Sequence, residues 1–184
     1  MTAGVRRIGL LGGECTGKTT LAVELGRTLP GCVVLERLRE FVDRAGRPPT
    51  EGEQLGIMLE QQAAEDAAAR DCATGTIVCD PAPLMTAVYS LAYFEDPSLI
   101  DRAVDLARGY DLVIWCGIDL PWEPDGGQRD GPEARQREHD LIATIVRDRL
   151  VPAGIPVTQV NGSLPARADA ARLAWQLLAL GAPT

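Results

Sequence analysis

Lysine is almost missing from this chain: Lys18 stands alone, and the other 17 of its 18 basic residues are arginine. Histidine is equally scarce, with His139 the only one, and aromatic residues make up 4% of the sequence. Acidic side chains outnumber basic ones by 26 to 18, for a formal net charge of -8. No stretch gathers the arginines into a basic stripe, so non-specific binding to nucleic acid is disfavoured. No apolar run approaches the roughly 20 residues a membrane helix needs, and no membrane partner is expected. Arg6 and Arg7 followed by Ile8 to Leu11 mimic the start of an export signal, but that run leads straight into a glycine-rich loop. The five cysteines (Cys15, Cys32, Cys72, Cys79 and Cys116) form no CxxC pair and no metal-ligand cluster with His139. A reduced, cytoplasmic compartment is the expectation, and oligomeric state is left open.

What is present is enough for one domain. A chain of 184 residues with 46% apolar side chains can bury a single α/β core, and residues 1–184 read as one unit. Short apolar runs rich in Val, Ile, Leu and Cys predict five strands: Arg7 to Leu11, Cys32 to Leu35, Thr76 to Cys79, Leu112 to Gly117 and Pro156 to Val160. Between them, helices are predicted at Lys18 to Arg27, Glu36 to Arg44, Glu51 to Asp71, after Pro83, Ser98 to Arg108, Pro132 to Leu150 and Pro165 to Leu180. Strands without polar alternation, each followed by a helix, imply a five-stranded parallel sheet with helices on both faces.

Gly12-Gly13-Glu14-Cys15-Thr16-Gly17-Lys18-Thr19 matches G-x-x-x-x-G-K-T between a predicted strand and a predicted helix, where the mechanism of a P-loop requires it. Gly13, Glu14, Cys15, Thr16, Gly17, Lys18, Thr19 and Thr20 are the expected nucleotide-binding residues. Backbone N–H groups surround the phosphates, Lys18 reaches the terminal ones and Thr19 ligates magnesium. The one lysine spared by the arginine bias falls here, because a compact ammonium fits among phosphate oxygens where a planar guanidinium does not. The sequence argues against a signalling GTPase, whose guanine-reading motif needs a second lysine.

Asp80, closing the third strand, lies at the carboxyl edge of the sheet, where doubly wound folds bind ligands. It is a candidate magnesium ligand, a candidate general base for an acceptor hydroxyl, or a cap for the next helix. Glu36 and Arg39, three apart at the head of a helix, could point together at a substrate or simply pair on the surface. Asp119 is a weaker candidate for the metal. Pro121 to Asp130 is rich in Pro, Gly and Asp and precedes Arg135 and Arg137; with Arg129 they suggest a short arginine-bearing lid over about residues 121–140. Its alternative is a solvated helix in which Glu133, Glu138 and Asp140 pair with the arginines. Trp122 could stack on a substrate ring or anchor the loop. His139 reads as a surface residue.

Four segments, Gly12 to Thr19, Glu36-Arg37-Leu38-Arg39-Glu40-Phe41-Val42, Cys79-Asp80-Pro81-Ala82-Pro83-Leu84-Met85-Thr86-Ala87 and Trp122 to Arg129, resemble in order the ribosylnicotinamide kinase domain of the NadR type and its small stand-alone P-loop relatives. The resemblance implies a kinase using ATP and Mg2+ to phosphorylate the 5′-hydroxyl of nicotinamide riboside, with Lys18, Asp80 and Arg129 catalytic. It also implies Glu36, Arg39, Asp80 and Trp122 around the acceptor, with Thr19 and Asp80 toward the metal. Arg37 and Ala82 depart from the pattern, replacing a frequent aromatic and an occasional second acid. With the loop beginning at residue 12, no room is expected ahead of it for the adenylyltransferase domain of larger members. The alternatives are a kinase for another nucleoside, nucleotide or metabolite, or an ATP-binding regulator without catalysis.

Overall fold

A computed structural model describes residues 5–72, 75–124 and 130–181. Five strands, β1 (Arg6–Leu11), β2 (Gly31–Val34), β3 (Thr76–Cys79), β4 (Leu112–Cys116) and β5 (Val157–Val160), form one parallel sheet in the order β2-β3-β1-β4-β5. Each strand end lies within one residue of its predicted position. The central strand β1 pairs with β3 and β4, so Ile8 lies between Val78 and Leu112. From β1 the chain runs to the edge strand β2, returns inward to β3, then crosses β1 to β4 and ends at the other edge in β5; the phosphate-loop motif follows the central β1, beside that switch point.

Among the described residues seven α-helices flank the strands: α1 (Lys18–Thr28), α2 (Arg37–Ala45), α3 (Glu51–Asp71), α4 (Leu84–Phe94), α5 (Ile100–Ala107), α6 (Pro132–Ile145) and α7 (Leu164–Ala179). Apolar side chains from α1 and α7, including Leu21, Leu25, Ala171 and Trp175, cover one face of the sheet. Met58 of α3, Met85 and Val88 of α4, Ala103 of α5 and Ile142 of α6 pack together over the other. Burial on both faces explains why β3 is buried at every position and shows no polar alternation. This is the α/β fold of P-loop NTPases.

Two helices depart from the sequence expectation. α5 starts two residues late because Asp96 accepts a hydrogen bond from the Ser98 amide (2.9 Å) and holds a turn ahead of it. α6 stops at Ile145 and continues as one wide π turn over Val146–Leu150, closed by the Val151 amide donating to Val146 O (3.0 Å). That turn resets the helical phase and leaves Leu150 fully buried, a change no apolar periodicity announces. Two of the cysteines also meet across the fold: Cys32 Sγ of β2 lies 3.0 Å from Cys72 Sγ at the end of α3.

A buried polar chain runs beneath α3. Tyr110 Oη donates to Glu65 (2.7 Å), Gln61 Nε2 donates to the same carboxylate (3.2 Å), and Gln61 Oε1 accepts from the Arg37 amide (3.0 Å) that opens α2. Burial pushes the Glu65 carboxyl up to about 7. The folded state thus holds a proton that the unfolded chain releases near pH 4.5, so this group's contribution is full below that pH and is lost as pH rises through about 7. Relative to Glu65→Gln, the wild type is expected to lose about 3 kcal/mol of stability between those values, as read from urea melts at several pH values.

Candidate active site

Residues between β1 and α1 form a loop whose shape depends on glycine. Gly12 has φ 150°, and a Cβ there would press on Thr16 Oγ1 and on Cys116. Within the loop, Thr16 Oγ1 donates to Gly13 O (2.8 Å), and Lys18 Nζ donates to Gly12 O and Gly13 O (2.5 and 2.7 Å). The ammonium is therefore already held over the loop. Gly13 and Thr16 are buried, Glu14, Cys15, Gly17 and Lys18 are half-buried, and Thr19 and Thr20 are exposed at the first turn of α1.

Asp80 follows β3, its amide donating to Val34 O of β2 (2.9 Å). The side chain is buried, and its Oδ1 has no hydrogen-bond partner among the described residues. It does not cap a helix: α4 begins at Leu84 behind Pro83, without a side-chain cap. The capping alternative is thereby removed, and a buried carboxylate oxygen is left without a structural task. Glu36 stands at the head of α2 next to β2; burial raises its pKa, opposed by Lys18 and Arg39 and reinforced by Asp80. Its ion pair with Arg39 is loose, at 3.8 Å, and the Arg39 side chain is 65% exposed.

Two groups absent from the sequence expectation as site residues complete this edge. Glu138 of α6 is buried; its Oε2 accepts from the Glu14 amide (3.2 Å), and its Oε1 lies 3.1 Å from Tyr93 Oη, whose single proton it shares with Asp130 Oδ2 (2.7 Å). Burial raises its pKa, and Lys18 opposes the rise. It belongs to the phosphate loop, not to the helix-surface pairing read for it from the sequence. Tyr89 and Tyr93, one turn apart on α4, have ring centroids 6.4 Å apart; burial raises the Tyr89 pKa, and Glu36, Glu138 and Asp80 all add to that rise. The i, i+4 spacing of these tyrosines was the available signal. For Glu138, 124 residues from its loop partner, the sequence offered none.

The segment read as a lid is tied to the loop. Glu14 Oε1 accepts from Trp122 Nε1 (3.0 Å) and the Gly131 amide (2.8 Å), and Glu14 Oε2 accepts from the Asp130 amide (2.9 Å). Trp122 here anchors the loop through its indole N–H. Arg135 Nη1 donates to Leu120 O (2.8 Å) and Cys15 O (3.5 Å), whereas Arg137 is exposed. Arg129 lies outside the described residues. His139 is half-buried and stacks on Trp115, with ring centroids 4.7 Å apart; burial lowers its pKa. The surface reading of His139 is therefore corrected.

Behind the loop lies Arg167 of α7, 1% exposed. It donates to Thr16 O (2.8 Å), Gly162 O (2.8 Å), Gly117 O (3.3 Å) and Asp119 Oδ1 (2.5 Å). Asp119 Oδ2 accepts from the Gly162 amide (2.6 Å), so Asp119 serves this junction and not a metal. Arg167→Met is expected to destabilise the fold by about 2–4 kcal/mol in urea denaturation, because three carbonyls lose a charged donor together.

A glycine-built loop at a sheet switch point, a lysine clasped over it and a carboxylate cluster on its open side define a P-loop nucleotide-binding protein. The AAA domain family matches residues 7–167. The chain belongs to that family. No curated protein matches it in sequence. Among solved structures, NadR in complex with NAD and AMP-PNP superposes with a TM-score of 0.71 at 20% identity, covering 92% of this chain and 49% of NadR. NadR in complex with NR gives 0.69 at 17% identity, over 94% and 50%. The chain thus spans about half the length of those NadR chains. Deoxyadenosine kinase from M. mycoides with bound dATP gives 0.61 at 12% identity, over 93% and 99%. These likenesses establish the fold, which is that of small P-loop kinases. No helix among the described residues is long and apolar enough to cross a membrane.

Proposed function

We propose that this protein is an ATP-dependent small-molecule kinase whose acceptor is the 5′-hydroxyl of nicotinamide riboside, giving nicotinamide mononucleotide. The observation that carries the reading is the pair of carboxylates beside the phosphate loop: Glu36 lies in the field of both Asp80 and Lys18. Two acids facing one ammonium, with Arg39 only loosely paired at 3.8 Å, suit an acceptor that brings positive charge, and the pyridinium ring of nicotinamide riboside does so. NadR, whose fold this chain shares, has been crystallised with NR and with AMP-PNP.

In this mechanism the loop amides and Lys18 hold the triphosphate, and the acceptor hydroxyl attacks the γ-phosphorus in line as the bond to the β–γ bridging oxygen breaks. The hydroxyl proton passes to Asp80, whose Oδ1 is unpartnered and buried at the sheet edge. The exposed Thr19 hydroxyl is a hard donor of the kind magnesium takes and would hold it, with Asp80 reaching the ion only through water so that its Oδ1 stays available for the proton. That ion, when bound, neutralises phosphate charge. Arg135, beside the loop, and Arg129 and Arg137 of the lid supply positive charge to the transferred group. The role proposed for Trp122 in acceptor binding requires it to release Glu14.

Mass spectrometry of reactions containing the protein, ATP, magnesium and one riboside each tests this directly. A phosphate-mass gain on nicotinamide riboside that needs Lys18 supports it. Gain on another acceptor keeps the kinase and replaces the substrate; no gain across nucleosides, nucleotides and metabolites leaves a nucleotide-binding regulator.

A further inference from the structure

We propose that Glu138 is an internal occupant of the nucleotide site, a carboxylate that holds a phosphate-loop amide until an incoming phosphate group displaces it. The proposal deepens the kinase reading, and rests on it only in taking the loop as the triphosphate site.

Four observations meet at this residue. Its Oε2 accepts from the Glu14 N–H, one of the loop donors whose general task is to receive anionic oxygen. The contact is allowed by glycine: a Cβ on Gly13 would overlap the Glu138 carboxylate and press on Glu138 Cβ at 3.3 Å. Glu138 is 2% exposed although ionisable, its other oxygen 3.1 Å from the Tyr93 hydroxyl that also meets Asp130 (2.7 Å), so its position is built and not a surface rotamer. Lys18, the cation meant for phosphate, is the leading charge that offsets its burial. A carboxylate and a phosphate oxygen compete for one N–H and repel each other across one ammonium, and both cannot hold the site together.

The consequence reaches the lid. Glu138 sits on α6, and the same loop residue whose amide it holds, Glu14, binds with its side chain the Trp122 indole and the amides of Asp130 and Gly131 just ahead of α6. The main chain of one loop residue therefore fastens α6, and its side chain fastens Trp122 and the residues just ahead of α6, to the loop. Displacing Glu138 releases the inner fastening and leaves the outer one, so nucleotide arrival loosens α6 against the loop. The observed affinity for nucleotide is then the intrinsic affinity reduced by the fraction of molecules in which Glu138 has withdrawn.

Calorimetric titration of wild type, Glu138→Gln and Glu138→Ala with magnesium and a non-hydrolysable ATP analogue, without any acceptor, tests the proposal. Both variants are expected to bind the analogue about three- to tenfold more tightly, the fold set by the fraction of sites Glu138 occupies. Their thermal midpoints without nucleotide should not exceed that of the wild type; a residue of merely structural use would weaken binding when lost, so the sign decides. Equal or weaker binding in both variants overturns the proposal, as does a raised acceptor KM with nucleotide affinity unchanged, which would make Glu138 an acceptor contact. Tighter binding together with no phosphorylated acceptor would retain Glu138 as the occupant and overturn the kinase reading instead.

Discussion

Lys18→Ala is expected to reduce phosphoryl transfer at least about 10³-fold, because a charge positioned over the reacting phosphates is worth more than a single neutral oxyanion donor. The structure gives this substitution a particular meaning. Lys18 Nζ already bonds the carbonyls of Gly12 and Gly13, so its position is settled before nucleotide arrives and little reorganisation remains for the reaction. No other lysine exists to stand in for it. Lys18→Arg should rescue poorly, since the planar guanidinium cannot occupy the clasp made by two adjacent carbonyls. Product formation measured by mass for both variants, with unfolding midpoints as controls, checks the claim. Full activity in Lys18→Ala would remove the loop from the chemistry altogether.

Asp80→Asn is expected to cost about 10²- to 10⁴-fold in turnover, the usual range for losing a positioned general base. The same substitution should leave the protein at least as stable, by up to about 2 kcal/mol. A buried carboxylate whose Oδ1 has no partner, and whose charge adds to the burial that already raises the Glu36 pKa, is a local liability for the fold. The two effects together are diagnostic. A residue kept for structure would lose stability first, whereas one kept for chemistry loses rate while the fold gains. Turnover and urea midpoints measured on the same preparation decide between them; a destabilised Asp80→Asn with normal turnover would assign the residue to the fold.

The elements of this fold could be read from the chain because they repeat local chemistry: four-to-six-residue apolar runs for strands and glycine before Lys18 for the loop. The phosphate loop was legible for the same reason, its residues being consecutive. What could not be read depends on residues that meet only after folding. Arg167 reaches Thr16 across 151 positions, and Glu138 reaches Glu14 across 124. Asp119 looked like Asp80, a carboxylate following a strand. The guanidinium arriving from α7 and the Gly162 amide distinguish the one whose oxygens are both engaged from the one whose Oδ1 is left bare. The π turn after Ile145 was hidden because apolar spacing at 3.6 residues continues past it.

The clasp on Lys18 also makes the site chemically addressable. With one side-chain amine in the molecule, half-buried and held by two loop carbonyls, every lysine-directed acylating reagent has a single side-chain target, and that target lies where phosphate binds. A nucleotide seated there shields it. The extent of acylation thus reports occupancy of the loop in the unmodified protein, with no label introduced and no second lysine to confuse the reading.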